Sequence, residues 1–138
     1  MIPASKTGYS DKWMTPPDTL KAIQEEFGPL WDPCPITWAP GDPDALEMPW
    51  APVTFCNPPY SRVADFVKKA ASEHQAGCTV ILLINAATDT RWFHSYIYNK
   101  PNVEIRFFKG RLKFINPKEP TKLVPSPRPS MLVIFKAI

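Results

Sequence analysis

Apolar residues along this chain follow two different spacings, which divide it into predicted helices and strands. In three segments they recur every three or four positions, as on the buried face of an amphipathic helix. Elsewhere they form short continuous runs, which are typical of strands buried on both faces. The predicted helices begin near Thr15, Ser61 and Thr88 or Asp89. The predicted strands cover 30–31, 53–56, 78–84, 103–108, 111–115 and 131–136.

Strands and helices alternate along most of the chain, and this order predicts an α/β fold in which helices connect mostly parallel strands. The last two strands are separated by a loop rich in proline and lysine, and we expect them to form an antiparallel pair. Residues 35–52 lack periodicity and predict a long loop with at most one brief strand. Residues 1–12 predict a flexible N-terminal arm, which leaves 13–138 as a single domain.

The apolar strand at 53–56 ends abruptly in Asn57, Pro58, Pro59 and Tyr60. Each proline fixes φ near about −65° and donates no N–H, so this strand end is stiff and offers carbonyl oxygens as acceptors. The Asn57 side-chain oxygen and the Pro58 carbonyl provide two acceptors beside the flat ring of Tyr60. Two acceptors and a stacking ring suit a planar amine. The alternative is a proline-rich turn that only closes the strand.

Two further segments can share a crevice with this strand end. Asp32, Pro33 and Cys34 follow the predicted strand at 30–31. Because ligands of open α/β sheets bind outside the carboxyl ends of the strands, both strand ends should face one crevice. Thr15 stands at the start of the first predicted helix, where a bound carboxylate and a capping hydroxyl can use the same site. N-capping alone would also explain Thr15.

The charge of the chain is distributed unevenly. Its net charge is +3, yet residues 1–99 contain 7 basic against 11 acidic residues, whereas residues 100–138 contain 9 against 2. Phenylalanines interleave with the basic residues of the segment 109–130 and its flank, a composition typical of a surface that contacts phosphate groups. The alternative is a merely solvated basic face. The residues expected to contact phosphates are Lys109, Arg111, Lys113, Lys118, Lys122 and Arg128.

Cysteine, histidine and hydropathy narrow the class of protein further. The three cysteines are an odd number without metal-site spacing, so we expect no metal and a reducing, cytoplasmic location. His74 and His94 have no ligand-like partners in the sequence and predict structural roles. The longest apolar run, 80–84, is far shorter than the ~18 residues of a membrane span, so no membrane association is expected.

The segment Asn57-Pro58-Pro59-Tyr60 resembles the (D/N)PPY motif of S-adenosylmethionine-dependent amino-methyltransferases, which act mainly on adenine N6, cytosine N4 or a glutamine amide. The resemblance covers roughly residues 13–135 and is closest to the small phage-type Dam DNA N6-adenine methyltransferases. Its most specific part is the segment 57–61. The supporting segments are Trp13, Thr15-Pro16, Asp32 to Cys34, Trp92-Phe93, Gly110 to Phe114 and the terminal Leu-Val-Ile-Phe strand.

This resemblance implies a compact, truncated Rossmann-like methyltransferase sheet and S-adenosylmethionine as the cofactor. The implied catalytic residues are Asn57, Pro58, Pro59 and Tyr60. The implied cofactor-binding residues are Trp13, Thr15, Pro16, Asp32, Pro33, Cys34, Asp44 and Asn57.

The acid that binds the cofactor ribose is less clearly marked. The segment Asp44-Ala45-Leu46 resembles the family's Asp-Gly-Leu, which favours Asp44 over Asp42 and Glu47. A solvated loop carboxylate is the alternative for Asp44. Pro35 stands where the family usually has alanine, and this residue is expected to stiffen the cofactor turn.

The resemblance implies an adenine-specific DNA methyltransferase that flips its target base out of double-stranded DNA, in a phage or restriction-modification setting within a bacterial cytoplasm. A protein glutamine-N5 methyltransferase shares the motif but gives the basic segment no use. Cytosine-N4 methylation is less favoured, because that group more often begins its motif with serine. A catalytically silent DNA-binding relative is a further alternative, against which the intact motif argues. We also consider a homodimer, since a small monomer covers little duplex.

Overall fold

The computed structural model describes residues 13–35 and 41–137, so the predicted N-terminal arm at 1–12 lies outside the described residues. The helices are α1 (Pro17–Phe27), α2 (Val63–Gln75) and α3 (Arg91–Tyr96), with short 3-10 turns at Ala45–Glu47 and Tyr60–Arg62. The strands are β1 (Val53–Cys56), β2 (Thr79–Asn85), β3 (Val103–Phe107), β4 (Lys113–Asn116), β5 (Glu119–Pro125) and β6 (Ser130–Phe135).

Four of these strands form a central sheet in the order β1-β2-β6-β3, and β4 pairs with β5 in a separate antiparallel hairpin. Only β1 and β2 run parallel among these pairs, joined through α2, whereas β6 is antiparallel to both of its neighbours. The expectation of a mostly parallel, Rossmann-like sheet is therefore wrong. The reason is that every residue of β6 is buried. A strand covered on both faces has the same apolar pattern in either direction, so the sequence of β6 does not predict whether it runs parallel or antiparallel to its neighbours. The expected pairing of the strand at 111–115 with the last strand is also wrong, because β4 pairs with β5.

The central sheet separates two apolar clusters. On one face, Phe66 of α2 and Phe93 of α3 pack with the even-numbered residues of β2. On the other face, Ile23 of α1 and Phe114 of β4 pack with the odd-numbered residues of that strand. Burying one such large side chain contributes about 1.5–3 kcal/mol. The second cluster therefore fixes α1 and the β4–β5 hairpin against the same face of the sheet.

The start of α1 differs from the sequence prediction. The helix begins at Pro17, and Pro16 occupies the N-cap position without a side-chain capping bond. Thr15 is therefore not the N-cap, and its hydroxyl is engaged elsewhere. The third helix begins slightly later than predicted, because Thr90 caps it by accepting a hydrogen bond from the Phe93 N–H at 3.3 Å.

Two further segments also depart from the predicted strands. Trp31 forms a single parallel bridge with Thr54, in place of a regular strand at 30–31. The predicted proline- and lysine-rich loop contains β5, which the sequence analysis missed. Prolines in β5 suggested a loop, but an outer strand can accommodate proline where the missing N–H would face away from its partner.

A group of four charged side chains joins α1, β3 and the end of β6. Both Arg106 guanidinium nitrogens Nη1 and Nη2 donate to Glu26, at 2.6 and 2.7 Å, and Arg106 Nε donates to Glu104. Lys136 Nζ lies 2.6 Å from the other Glu104 oxygen. Hydrogen bonds from Arg106 and then Lys136 lower the pKa of Glu104 from 4.5 to about 2. The charged form of Glu104 is thus stabilised in the folded state.

The lowered pKa predicts how stability depends on pH. The contribution of Glu104 is fully present above its unfolded pKa near 4.5 and is lost as the pH falls toward about 2. Because the pairs are partly exposed, each contributes roughly 0.2–1 kcal/mol. Urea denaturation between pH 4.5 and 2 should therefore show a shallower loss of stability for Glu104→Gln than for the parent. Glu25→Gln, an exposed change on α1, is the control, and equal pH slopes for Glu104→Gln and parent would contradict the prediction.

Candidate active site

The residues that follow β1 are buried although they are polar or lack a backbone donor. Asn57 is 6% exposed, and Pro58 and Pro59 are also buried. Pro59, with φ −58° and ψ 138°, then directs the chain into the 3-10 turn that begins at Tyr60. Tyr60 is 38% exposed. The strand end therefore holds a fixed amide inside the protein and a tyrosine ring at its surface.

Hydrogen bonds orient the Asn57 amide. Its nitrogen Nδ2 donates to the Trp13 carbonyl oxygen at 2.9 Å and to Thr15 Oγ1 at 3.3 Å. A backbone carbonyl can only accept, so the nitrogen end of the amide must face Trp13. The oxygen Oδ1 then lies on the other side of the amide. Thr15 therefore serves the strand end and not the helix, which is why it does not cap α1.

The segment that holds Asn57 is itself attached to the hairpin. Met14 forms a bridge with Ile115 of β4, with N–H···O distances of 3.0 Å from Met14 to Ile115 and 3.3 Å in return. The segment 13–15 is thus attached to the hairpin by a single antiparallel bridge. Within this segment, Met14 bonds to the hairpin, whereas Trp13 and Thr15 bond to Asn57.

A cavity of about 310 Å³ opens between the segment 13–15, α1 and the end of the segment at 30–35. It brings together three residues that the sequence analysis assigned to cofactor binding, namely Trp13, Thr15 and Asp32. Asp32 Oδ1 accepts a hydrogen bond from the Cys34 N–H at 2.8 Å, and Cys34 is fully buried. The cavity is lined by Trp13, Met14, Thr15, Leu20, Gln24, Leu30, Asp32, Pro35 and Phe55.

The other five residues assigned to cofactor binding are not among the described residues that line this cavity, namely Pro16, Pro33, Cys34, Asp44 and Asn57. Asp44 accepts a hydrogen bond from the Leu46 N–H at 2.9 Å and thereby caps the 3-10 turn at Ala45–Glu47. Its other oxygen lies 3.8 Å from Arg62. The structure therefore places Asp44 at the start of the 3-10 turn and within reach of Arg62, which precedes α2.

A larger cavity of about 570 Å³ lies on the Tyr60 side of the strand end. Asn85 ends β2, which is parallel to β1, so both strands direct their carboxyl ends here. Asn57 does not line this cavity, but it borders a small neighbouring one together with Tyr60, Asn85 and Ser126, which line both. The larger cavity is lined by Tyr60, Ser61, Val63, Ala64, Asn85, Ala87, Asp89, Thr90, Trp92, Ser126, Pro127 and Arg128.

Of these lining residues, the sequence analysis assigned only Tyr60 and Arg128 to the site. Asn85 and Asp89 could have been found, because a polar side chain after the apolar run of a strand followed by a helix is the same signal that marks Asn57. Ser126 could not, since it reaches the site through the hairpin that the sequence did not predict.

The β4–β5 hairpin has one buried phenylalanine that packs against the central sheet and several exposed lysines. Phe114 of β4 is 5% exposed and packs in the second apolar cluster, whereas Lys113, Lys118 and Lys122 of the hairpin are exposed. Within the described part of the chain, none of the six basic residues assigned to phosphate contact forms an ion pair, in contrast to Arg62, Lys69, Arg106 and Lys136. Those six residues are Lys109, Arg111, Lys113, Lys118, Lys122 and Arg128.

Both histidines make backbone hydrogen bonds. His74 Nε2 lies 2.7 Å from the Lys136 carbonyl oxygen, and His94 Nε2 lies 2.8 Å from that of Thr88. Across residues 13–35 and 41–137, no group of three His, Cys, Asp or Glu side chains is arranged to hold a metal ion. The same residues contain no helix long and apolar enough to cross a membrane.

A comparison with protein families identifies the kind of protein to which this site belongs. The family model described as DNA N-6-adenine-methyltransferase (Dam) matches residues 4–138. No curated protein and no solved structure matches the chain significantly. The family match includes the segment 13–15, the strand end at Asn57 and the basic hairpin, which are the parts that the structure brings together. The chain therefore belongs to the Dam family of DNA N-6-adenine-methyltransferases.

Proposed function

We propose that this protein transfers a methyl group from S-adenosylmethionine to the N6 amine of an adenine flipped out of double-stranded DNA. Family membership supports adenine methylation of DNA. The observation that carries the finer proposal is the orientation of the buried Asn57 amide, whose nitrogen is bonded to Trp13 and Thr15. That orientation turns the oxygen Oδ1, which is an acceptor, to the opposite side of the amide. Phe55, at the end of the same strand, lines the smaller cavity, and Tyr60 lines the larger one.

The chemistry of the smaller cavity fits S-adenosylmethionine. Asp32 offers a carboxylate for the cofactor's ammonium or ribose hydroxyls, and Thr15 offers a hydroxyl. Trp13, Leu30 and Phe55 supply apolar surface for the adenine ring. The volume of about 310 Å³ lies at the lower end of the range for ligand cavities. When bound, the cofactor supplies a methyl group that its sulfonium makes electrophilic.

The larger cavity is the proposed place for the target adenine. Tyr60 presents a half-exposed ring on which the base can stack, and Trp92 lines the same space. Flipping the base costs a few kcal/mol, which stacking on Tyr60 and contacts to phosphates would offset. Asn85 and Asp89 provide polar groups for the edge of the base.

The chain's own part in the chemistry is to orient the amine. Asn57 Oδ1 and the Pro58 carbonyl oxygen would each accept one of the two N6 hydrogens. Both oxygens belong to rigid, buried groups, so they are preorganised and need not rearrange in the transition state. Two such acceptors favour a pyramidal nitrogen whose lone pair points away from them. The nitrogen needs no base at first, because its proton becomes acidic only once the methyl group is attached.

The exposed cations of the hairpin and of its flanking residues are the proposed phosphate contacts. An unpaired lysine or arginine can bind a phosphate without first breaking an ion pair, and this is the state of the six basic residues within the described part of the chain. Arg128 also lines the cavity beside Tyr60, so it can bind the phosphate next to a flipped base. We assign residues 13–138 to one catalytic domain in which the segment 109–130 contacts DNA.

The experiment that tests this function supplies labelled S-adenosylmethionine and unmethylated duplex DNA to the purified protein. Digestion of the DNA to nucleosides should recover the label as N6-methyldeoxyadenosine. Label in N4-methyldeoxycytidine would contradict the choice of base. Label in a glutamine-containing peptide but not in DNA would replace the proposal with protein methylation.

The cofactor assignment makes a separate prediction for Asp32. Asp32→Asn should weaken S-adenosylmethionine binding about 10- to 150-fold, because a hydrogen bond to a charged group contributes roughly 1.5–3 kcal/mol. Calorimetric titration of the folded variant measures this change. Asp65→Asn, an exposed carboxylate change on α2, is the matched control and should bind like the parent. Equal affinities for Asp32→Asn and parent would reject the smaller cavity as the site, and Asp44→Asn in the same assay tests the ribose prediction.

A further inference from the structure

The outer edge of β3 is unpaired within the described part of the chain, because β3 is the last strand of the central sheet. The direction of its backbone groups follows from two bonds to the β6 side. Lys136 N–H donates to the Asn102 carbonyl at 2.8 Å, and Phe108 N–H donates to the Ser130 carbonyl at 3.1 Å. Backbone groups alternate along an antiparallel strand, so the even-numbered residues 102–108 face β6. The N–H and carbonyl groups of Ile105 and Phe107 and the carbonyl of Val103 therefore point outward, whereas the Val103 N–H donates to the Lys100 carbonyl at 3.4 Å.

We infer that a second copy of this chain pairs with β3 in antiparallel fashion about a two-fold axis at Ile105, forming a continuous eight-stranded sheet across a homodimer. In that register each Ile105 lies opposite its own copy, and the two residues exchange both N–H···O bonds. Each Phe107 N–H donates to the carbonyl of the second copy's Val103. The outward backbone groups thus match themselves under two-fold symmetry, as an isologous interface requires.

The side chains of β3 match in the same register. Glu104 of one chain lies opposite Arg106 of the other, and the two-fold axis repeats this opposite-charge pair. Val103 lies opposite Phe107, which is 63% exposed in the single chain and is the most exposed of its large apolar residues within the described ranges. Charges on a strand edge usually prevent association. Here the alternation of Glu104 and Arg106 along β3 makes the edge complementary to itself.

The existing ion pairs support this pairing. Glu26 and Lys136 lie at the two ends of the Glu104–Arg106 pair within one chain. The second copy would add an Arg106 beside Glu104 and a Glu104 beside Arg106, so the signs continue to alternate across the seam. An interface of one short strand is small, which predicts a dimer that dissociates on dilution.

Charge reversal tests the register. Glu104→Arg would place two like-charged pairs in its own homodimer, and so would Arg106→Glu, so each variant alone should associate at least about tenfold more weakly than the parent. Mixing the two variants restores an opposite charge at every position of a heterodimer. Sedimentation equilibrium over a concentration series should therefore show the parent and the mixture at twice the 15.6 kDa chain mass, and each variant alone near that mass.

Two outcomes would overturn the inference. A parent that stays at the mass of one chain at every concentration excludes the dimer, and a mixture that associates no better than its components excludes this register. Rescue by mixing also separates an interface effect from misfolding, because two misfolded variants would not regain affinity for each other. Phe107→Ser should weaken parent association, whereas Leu123→Ser, a control at the similarly exposed Leu123 of the hairpin, should leave it unchanged.

Discussion

Asn57→Ala is expected to abolish nearly all methyl transfer, with a fall of about 10²–10³ in kcat. The proposed loss is one preorganised acceptor in a buried site, which contributes about 3 kcal/mol in the transition state. Affinity for S-adenosylmethionine should stay within a few-fold of the parent, because Asn57 itself does not line the smaller cavity, whereas Asp32, Trp13 and Thr15 do. Single-turnover transfer to duplex DNA and calorimetric titration of the cofactor measure the two quantities separately.

Asn57→Asp provides a more discriminating variant than alanine. It keeps an acceptor oxygen but places a carboxylate against the Trp13 carbonyl, which can donate nothing to it. We expect Asn57→Asp to retain more methyl transfer than Asn57→Ala, because aspartate also occurs at this position of the wider motif. We expect its free energy of unfolding to be lower than that of the parent. Thr15→Ser, which keeps the hydroxyl, is the control for the surrounding bonds. Normal turnover by a folded Asn57→Ala protein would reject the assignment of the strand end to catalysis.

Removal of two hairpin cations is expected to flatten the salt dependence of DNA binding. Each lost phosphate contact lowers the slope of log affinity against log salt by about 0.9, so Lys113→Gln with Lys122→Gln should lower it by about 1.8. Binding should weaken for any duplex sequence alike, because phosphate contacts position the protein without reading bases. Fluorescence anisotropy with two unrelated duplexes over a series of salt concentrations measures both effects.

The matched control uses two lysines at the other end of the sheet. Lys68 and Lys100 line a cavity with Val103 and Phe135, on the side of the sheet remote from Asn57. Lys68→Gln with Lys100→Gln removes the same net charge, so a general electrostatic effect would change both double variants equally. An equal slope for the hairpin variant and this control would support the alternative that the hairpin is a solvated basic face.

The strand end at Asn57 could be located from sequence because the signal is local. An apolar run that stops at an amide and two prolines marks the end of a buried strand, and this is where β1 ends. The partners of the amide could not be predicted in the same way. Trp13 and Thr15 are more than forty positions away, and the helix-capping pattern gave Thr15 a different partner.

The direction of β6 and the presence of the β4–β5 hairpin could not be predicted from the sequence, for physical reasons. The fully buried β6 gives the same apolar run whichever way it points, so the parallel sheet was the wrong inference. The prolines at 120 and 125 indicated a loop, because proline is rare in central strands. They fit into β5 because it is an outer strand, which the sequence alone does not reveal. The basic residues were identified by composition, yet only the structure shows that several of them share one hairpin.

The double attachment of the segment 13–15 links the two ligands of the proposed reaction. Met14 is bonded to the hairpin on one side, while Trp13 and Thr15 hold Asn57 and line the smaller cavity on the other. Any ordering of this segment by the cofactor would also order the hairpin that we propose contacts DNA. The two ligands should then bind with positive cooperativity, and linkage requires each to raise the affinity of the other by the same factor.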